Sequence, residues 1–126
     1  MVLKVENAII SVYDKSGVVD FARALAERFG VRIFSSGGTA RVLREAGVEV
    51  TGISDYTGAP EMLDGRVKTL HPRVHAGLLA RRDEPEHMRA LEEAGVTRFD
   101  MVVVNLYPFE KVIVSPEVDL LEALEN

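Results

Sequence analysis

The 126-residue chain contains no cysteine, which excludes a disulfide framework and a zinc site built on thiolates. Long apolar runs are missing too. The longest, "MVVVNLY", is broken by Asn105 and falls far short of the roughly 20 residues that a membrane span needs. The opening "MVLKVENAII" has no apolar stretch leading to a small-residue cleavage site, so it does not read as a secretory signal. A cytoplasmic setting without a membrane partner is the expectation. An excess of positive charge is also lacking. Fifteen Lys and Arg stand against 20 Asp and Glu, a net charge of −5, whereas nucleic-acid-binding domains carry a basic face. Nucleic acid is therefore not an expected partner. The sequence has neither an internal repeat nor a low-complexity segment.

What is present is an ordinary globular composition, 47% hydrophobic and 28% charged. The length suits one domain with a core and is too short for two. Its charge is unevenly spread. Between Gly65 and Arg82 lie five basic residues (Arg66, Lys68, Arg73, Arg81, Arg82) and no carboxylate. Such an island in an acidic chain suits a small anion better than a long polyanion.

Periodicity orders the chain. "NAIISVYD" (7–14) is a nearly continuous apolar run with β-branched residues, as expected of a buried parallel strand. In the following segment Val18, Phe21, Ala22, Leu25 and Phe29 fall on one face of a helix that stops at Gly30. "VRIFSS" (31–36) predicts a second strand, "GGTARVLREAG" a second helix and "VEVTGIS" (48–54) a third strand. Strand and helix in alternation predict an α/β fold with a mainly parallel sheet between helices, a three-layer α/β/α arrangement. From Asp55 to His75 periodicity fades into a long irregular stretch, and long loops in compact domains are commonly functional. A helix over 83–95 follows, with Asp83 as N-cap and Pro85 in its first turn, then a strand over 99–107 ended by Pro108. Ser115 and Pro116 open a last predicted helix carrying Val118, Leu121 and Leu124.

Polar residues collect where predicted strands end. "SSGGTA" joins a strand to a helix. Glycines there expose backbone N–H groups beside a helix N-terminus, a combination that holds phosphate, and Ser36 and Thr39 can add hydroxyls. The alternative is a plain capped turn. "SVYDKSG" occupies a similar junction, with Ser11, Tyr13 and Lys15 placed to meet an anion, or with Asp14 as a simple N-cap. "GRVKTLHPRVH" offers Arg66 as a fork for phosphate and Lys68 as a point charge able to change protonation state, or else is a solvated basic loop. His71 and His75 stand four apart, but Pro72 disturbs a helical pairing and no third ligand is apparent. Structural histidines fit better than a metal site. Asn105 interrupts a buried run, where its amide needs a partner and can read a heterocycle edge.

Taken together, "SVYDKSG", "SSGGTA", "PEMLDGRVKTLHPRVHAGLLARR" and "VVVNLYPFE" in this order resemble the N-terminal IMP cyclohydrolase domain of the bifunctional purine-biosynthesis enzymes (AICAR transformylase/IMP cyclohydrolase). The likeness runs from about Ala8 to Asn126. "GRVKTLHP" is its most specific part, whereas "SSGGT" is shared with methylglyoxal-synthase-like relatives.

The resemblance implies a methylglyoxal-synthase-like fold and a cyclohydrolase that closes the purine ring of formyl-AICAR to IMP with loss of water, without cofactor or metal. It implies a parent enzyme that also transfers a formyl group and forms a homodimer. It implies catalytic roles for Lys68 and Tyr107. Substrate contacts are implied for Ser11, Tyr13, Asp14 and Lys15, for Ser36, Gly37, Gly38 and Thr39, for Arg66, Val67 and Thr69, and for Val104 and Asn105. Many relatives carry serine where this chain has Tyr13. The family continues beyond Asn126 into stretches supplying a further aspartate and lysine, so residues 1–126 are expected to form an incomplete domain of weak activity or none. The alternatives are methylglyoxal synthase and a regulatory nucleotide-binding module of the same fold.

Overall fold

The computed structural model describes residues 3–106. Tyr107, Pro108 and the helix predicted from Ser115 lie outside the described residues. Nine elements follow one another: β1 (Asn7–Ser11), α1 (Val18–Phe29), β2 (Arg32–Ser35), α2 (Gly37–Glu45), β3 (Thr51–Gly52), α3 (Ile53–Thr57), α4 (Pro72–Leu79), α5 (Pro85–Ala94) and β4 (Met101–Val104). The strands form one sheet in the order β3-β2-β1-β4. Every pairing is parallel, Ala8 lying opposite Ile33 on one side and Met101 on the other.

Side chains alternate across a strand, and the two faces are buried by different elements. Ala8, Ile10 and Ile33 pack with Val18, Ala22 and Leu25 of α1 and Leu43 of α2. Ile9 and Phe34 point the other way, into a cluster with Ile53 of α3, Val74 of α4 and Phe99. The expected three layers are therefore present. Phe34 is fully buried and meets Phe99 and Tyr56 edge to face, with ring centroids 5.0 and 5.3 Å away.

β4 is tied to β1 by Asp100. Its carboxylate is 2% exposed and accepts from the backbone N–H groups of Glu6 (2.8 Å) and Asn7 (2.9 Å) and from the Arg82 guanidinium. Burial pushes this carboxyl up, but the Glu6 amide, Arg82 and the Asn7 amide outweigh it and hold the group below its ordinary 3.8.

Several expectations are corrected. The buried stripe of α1 is Val18, Ala22 and Leu25, while Phe21 and Phe29 are 44% and 68% exposed. Phe21 lies to one side of the stripe, and Phe29 continues it at the last residue of the helix. The third strand is only Thr51–Gly52, paired with Phe34 and Ser35 of β2, and it ends there because Ile53 already begins a helix. The stretch expected to be irregular is so over residues 58–71, apart from one isolated bridge, but its two ends belong to helices, the last residues of α3 and the first of α4. Pro72 starts α4 rather than disturbing it, since a first-turn residue has no intrahelical N–H bond to lose. His71 is its N-cap, with Nδ1 accepting from the Arg73 N–H at 3.1 Å. The N-cap of α5 is Glu84, not Asp83, which instead accepts from Arg81. No helix among the described residues is long and apolar enough to cross a membrane.

Candidate functional site

The chain leaves β1 toward β2 on one side and returns as β4 on the other. In open parallel sheets a crevice opens at the carboxyl ends of strands where the order reverses this way. A cavity of about 140 Å³ lies at these ends. Ser11, Val12, Tyr13 and Lys15 enter it from the end of β1, and Ser36, Gly38 and Thr39 from the junction of β2 with α2. Lys68 reaches it from the loop before α4, and Asn105 from the end of β4.

The β2–α2 junction is shaped by its glycines. Gly37 has φ 56°, a left-handed conformation that costs any residue bearing a Cβ. A Cβ on Gly37 would also stand 3.4 Å from Lys68 Nζ, and one on Gly38 would stand 3.4 Å from Lys15 Cε. Both ammonium-bearing side chains therefore lie against the same bare backbone. The first N–H groups of α2 have no acceptor within the helix and carry its partial positive charge. Ser36, its N-cap, is buried, and its Oγ has no hydrogen-bond partner among the described residues. An unpaired buried hydroxyl is costly, and here it borders the cavity.

The β1 end is held from two sides. Thr39 Oγ1 accepts from the Val12 N–H and donates to the Val12 carbonyl, both at 3.1 Å. Asn105 Oδ1 accepts from the N–H groups of Tyr13 (2.7 Å) and Asp14 (3.1 Å), and its Nδ2 donates to the Asp14 carbonyl at 2.8 Å. Lys15 Nζ donates to the carbonyls of Val12 (2.9 Å) and Tyr13 (3.2 Å). Lys68 Nζ has neither a hydrogen bond nor an ion pair among the described residues.

Eight of the expected site residues thus share one cavity: Ser11, Tyr13, Lys15, Ser36, Gly38, Thr39, Lys68 and Asn105. Gly37 and Asp14 adjoin it through Lys68 and Asn105. Arg66, Val67, Thr69 and Val104 do not line it. The Arg66 guanidinium donates to the Leu63 carbonyl and lies 3.6 Å from Asp64. Val67 pairs with Met62 in a short antiparallel bridge, and the Thr69 carbonyl accepts from the His71 N–H. Tyr107 is outside the described residues.

The basic island does not act as one patch. Of its five charges, Lys68 alone borders the cavity. Arg73 lies over the Tyr56 ring at 4.5 Å and donates to the Gly95 carbonyl, Arg81 pairs with Asp83, and Arg82 pairs with Asp100. Asn105 is exposed past the end of β4, not buried within the strand. Val12 was not singled out from the sequence, because its part is played by backbone N–H and carbonyl groups that any residue supplies. No group of three or more His, Asp or Glu among the described residues is placed to hold a metal ion.

Residues 17–126 match the family described as the MGS-like domain. The chain belongs to the MGS-like domain family. This MGS-like domain is also similar to ForH, known from its crystal structure, with 41% sequence identity and a TM-score of 0.72. The match covers 82% of the present chain and 53% of ForH, so the chain spans about half of that protein's length. In this MGS-like domain the matched segment includes Ser36 to Thr39, Lys68 and Asn105, while Lys15 stands just before it.

Proposed function

We propose that this MGS-like domain binds a purine nucleotide through its 5′-phosphate and serves as an IMP cyclohydrolase, closing the ring of formyl-AICAR with loss of water. The observation that carries the reading is the convergence of two lysines, an unpartnered serine hydroxyl and a helix N-terminus on a cavity lined by no carboxylate among the described residues. A phosphate monoester carries nearly two negative charges. Lys15, Ser36 Oγ and the first amides of α2 supply complementary donors for it.

Ring closure joins the carboxamide nitrogen to the formyl carbon. As the carboxamide nitrogen attacks and sheds a proton, the formyl oxygen becomes an oxyanion and takes one up. The formamido nitrogen then sheds its proton to form the C=N bond, while the hydroxyl takes a second proton and leaves as water. Nitrogen and carbon partners of this kind react poorly unless held close, and the oxyanion needs fixed donors. Lys68, with its ammonium uncommitted among the described residues, supplies one such donor and a proton for the departing hydroxyl. Tyr107 is the second candidate by resemblance. The triose-phosphate reaction of a methylglyoxal synthase needs a base to remove a carbon-bound proton, and the described residues that line the cavity include no carboxylate, which disfavours it.

Calorimetric titration of IMP into this chain tests the binding step. Binding is expected, and Lys15→Ala is expected to weaken it about tenfold or more, the scale of a charge-assisted hydrogen bond. No heat of binding at millimolar IMP sinks the reading. In a C-terminally extended version, Lys68→Ala is expected to depress turnover of formyl-AICAR far more than IMP affinity. Affinity without turnover in the extended wild type, with Lys68 dispensable, points instead to a regulatory nucleotide-binding module.

A further inference from the structure

Thr39 and Asn105 border the cavity, yet their polar atoms are directed at the chain itself. Thr39 is buried, and its hydroxyl has a single proton. That proton goes to the Val12 carbonyl, while the oxygen accepts from the Val12 N–H. Asn105 Oδ1 spends both acceptor positions on the N–H groups of Tyr13 and Asp14, and Nδ2 gives one proton to the Asp14 carbonyl. The backbone from Val12 to Asp14 is thus gripped by α2 on one side and by the end of β4 on the other. The two carbonyls that receive Lys15 Nζ, those of Val12 and Tyr13, belong to this gripped segment. Two of the three ammonium protons are committed there, and the third is left for a ligand.

We infer that Thr39 and Asn105 are positioning residues that act on the bound anion through Lys15, as a brace fixing where its ammonium stands. The inference rests on the anion-binding reading above and adds a division of labour to it. Ser36 Oγ, the first amides of α2 and Lys15 touch the anion; the Thr39 hydroxyl does not. A lysine has a long flexible stem, and ordering it at the moment of binding costs affinity. A stem whose head is already seated on two fixed carbonyls avoids that cost. A hydroxyl bound directly to the anion would instead have to release the Val12 carbonyl, which would keep Lys15 Nζ alone of its two side-chain donors.

A double-mutant cycle with inorganic phosphate and IMP as probes separates these cases. Thr39→Val and Asn105→Ala are each expected to weaken binding about tenfold, the loss of roughly one hydrogen bond's worth of affinity. In a Lys15→Ala background the same changes should cost less than about twofold. Thr39→Ser, which keeps the hydroxyl, is expected to restore binding. Equal losses in both backgrounds overturn the brace and make Thr39 a direct ligand. The ligand-free protein supplies an independent readout. Thr39→Val and Asn105→Ala should shift the Lys15 ammonium resonance and speed exchange of the Val12, Tyr13 and Asp14 amides. An unchanged ammonium resonance overturns the proposal even if phosphate does not bind at all, an outcome that would refute only the functional reading. Should Thr39→Val fail to fold, Asn105→Ala, at an exposed position, decides both measurements.

Discussion

A Cβ added to Gly77 would stand 2.1 Å from the Thr97 carbonyl oxygen and 2.9 Å from a ring carbon of Phe99. Neither neighbour is the free end of a flexible side chain, so the backbone of α4 must rest directly on the segment leading into β4. Gly77→Ala is expected to destabilise the fold by about 3 kcal/mol, the upper range for overpacking, and the shift of the urea midpoint at constant slope measures it. Nothing in the sequence announces this. A lone glycine in a helical pattern reads as a mild propensity cost, and the pressure on it comes from residues 20 and more positions away. The site was more legible at this scale. Lys15, Ser36, Lys68 and Asn105 are polar residues at predicted strand ends or in a basic loop, and strand ends in parallel sheets face the crevice. Which atoms pair with which was not legible. Thr39 reads as a phosphate donor from its spacing, yet its hydroxyl is committed to Val12. Arg66 reads as a fork for an anion, yet Leu63 and Asp64 take it up locally.

The elements divide by length. α1 and α2 announce themselves because 12 and nine residues give a period room to repeat. α3 has five residues and α4 eight, too few for a stripe to stand out. α4 was further masked by Pro72, a breaker inside a helix and a starter at its first position. The link between the segment before β1 and β4 is electrostatic. Asp100 is held below its ordinary 3.8 by the Glu6 amide, Arg82 and the Asn7 amide, which overcome the upward push of burial. A group with a depressed folded pKa contributes its full stability above the unfolded value. That contribution is lost as pH falls through the folded value. Asp100→Asn is expected to cost about 3 kcal/mol at neutral pH, the low end for breaking a buried pair, because Arg82 keeps a quarter of its side chain exposed. The gap between wild type and variant should close as pH drops below 3.8. Urea titrations across that range measure it, and a gap independent of pH would show that the carboxylate's charge is not what joins β4 to the rest.

For the whole molecule, the alternation of strand and helix was enough to predict a parallel sheet between helical layers, since each early crossover is short and leaves little choice. Strand order was not determined that way. β4 could extend the sheet beyond β3 and keep the same alternation. Its place beside β1 is fixed by contacts such as those of Asp100 with Glu6 and Asn7, the latter 93 residues apart in the chain. A version ending at Gly95 is therefore expected to lack a cooperative thermal transition, with β1 stripped of one neighbour and the Phe34 cluster of Phe99. A sharp melting curve for that version would show that β1 to α5 fold alone. The same order has a consequence during synthesis. β1 emerges from a ribosome before its sheet neighbours, but it must wait with one flank unpaired until residues 98–104 have followed it out. Long-range closure of this kind is slow and leaves strand edges open to wrong partners. A translating chain is thus most vulnerable to misassembly across that whole interval, and the grip of Asn105 on the β1 end closes only after β4 has emerged.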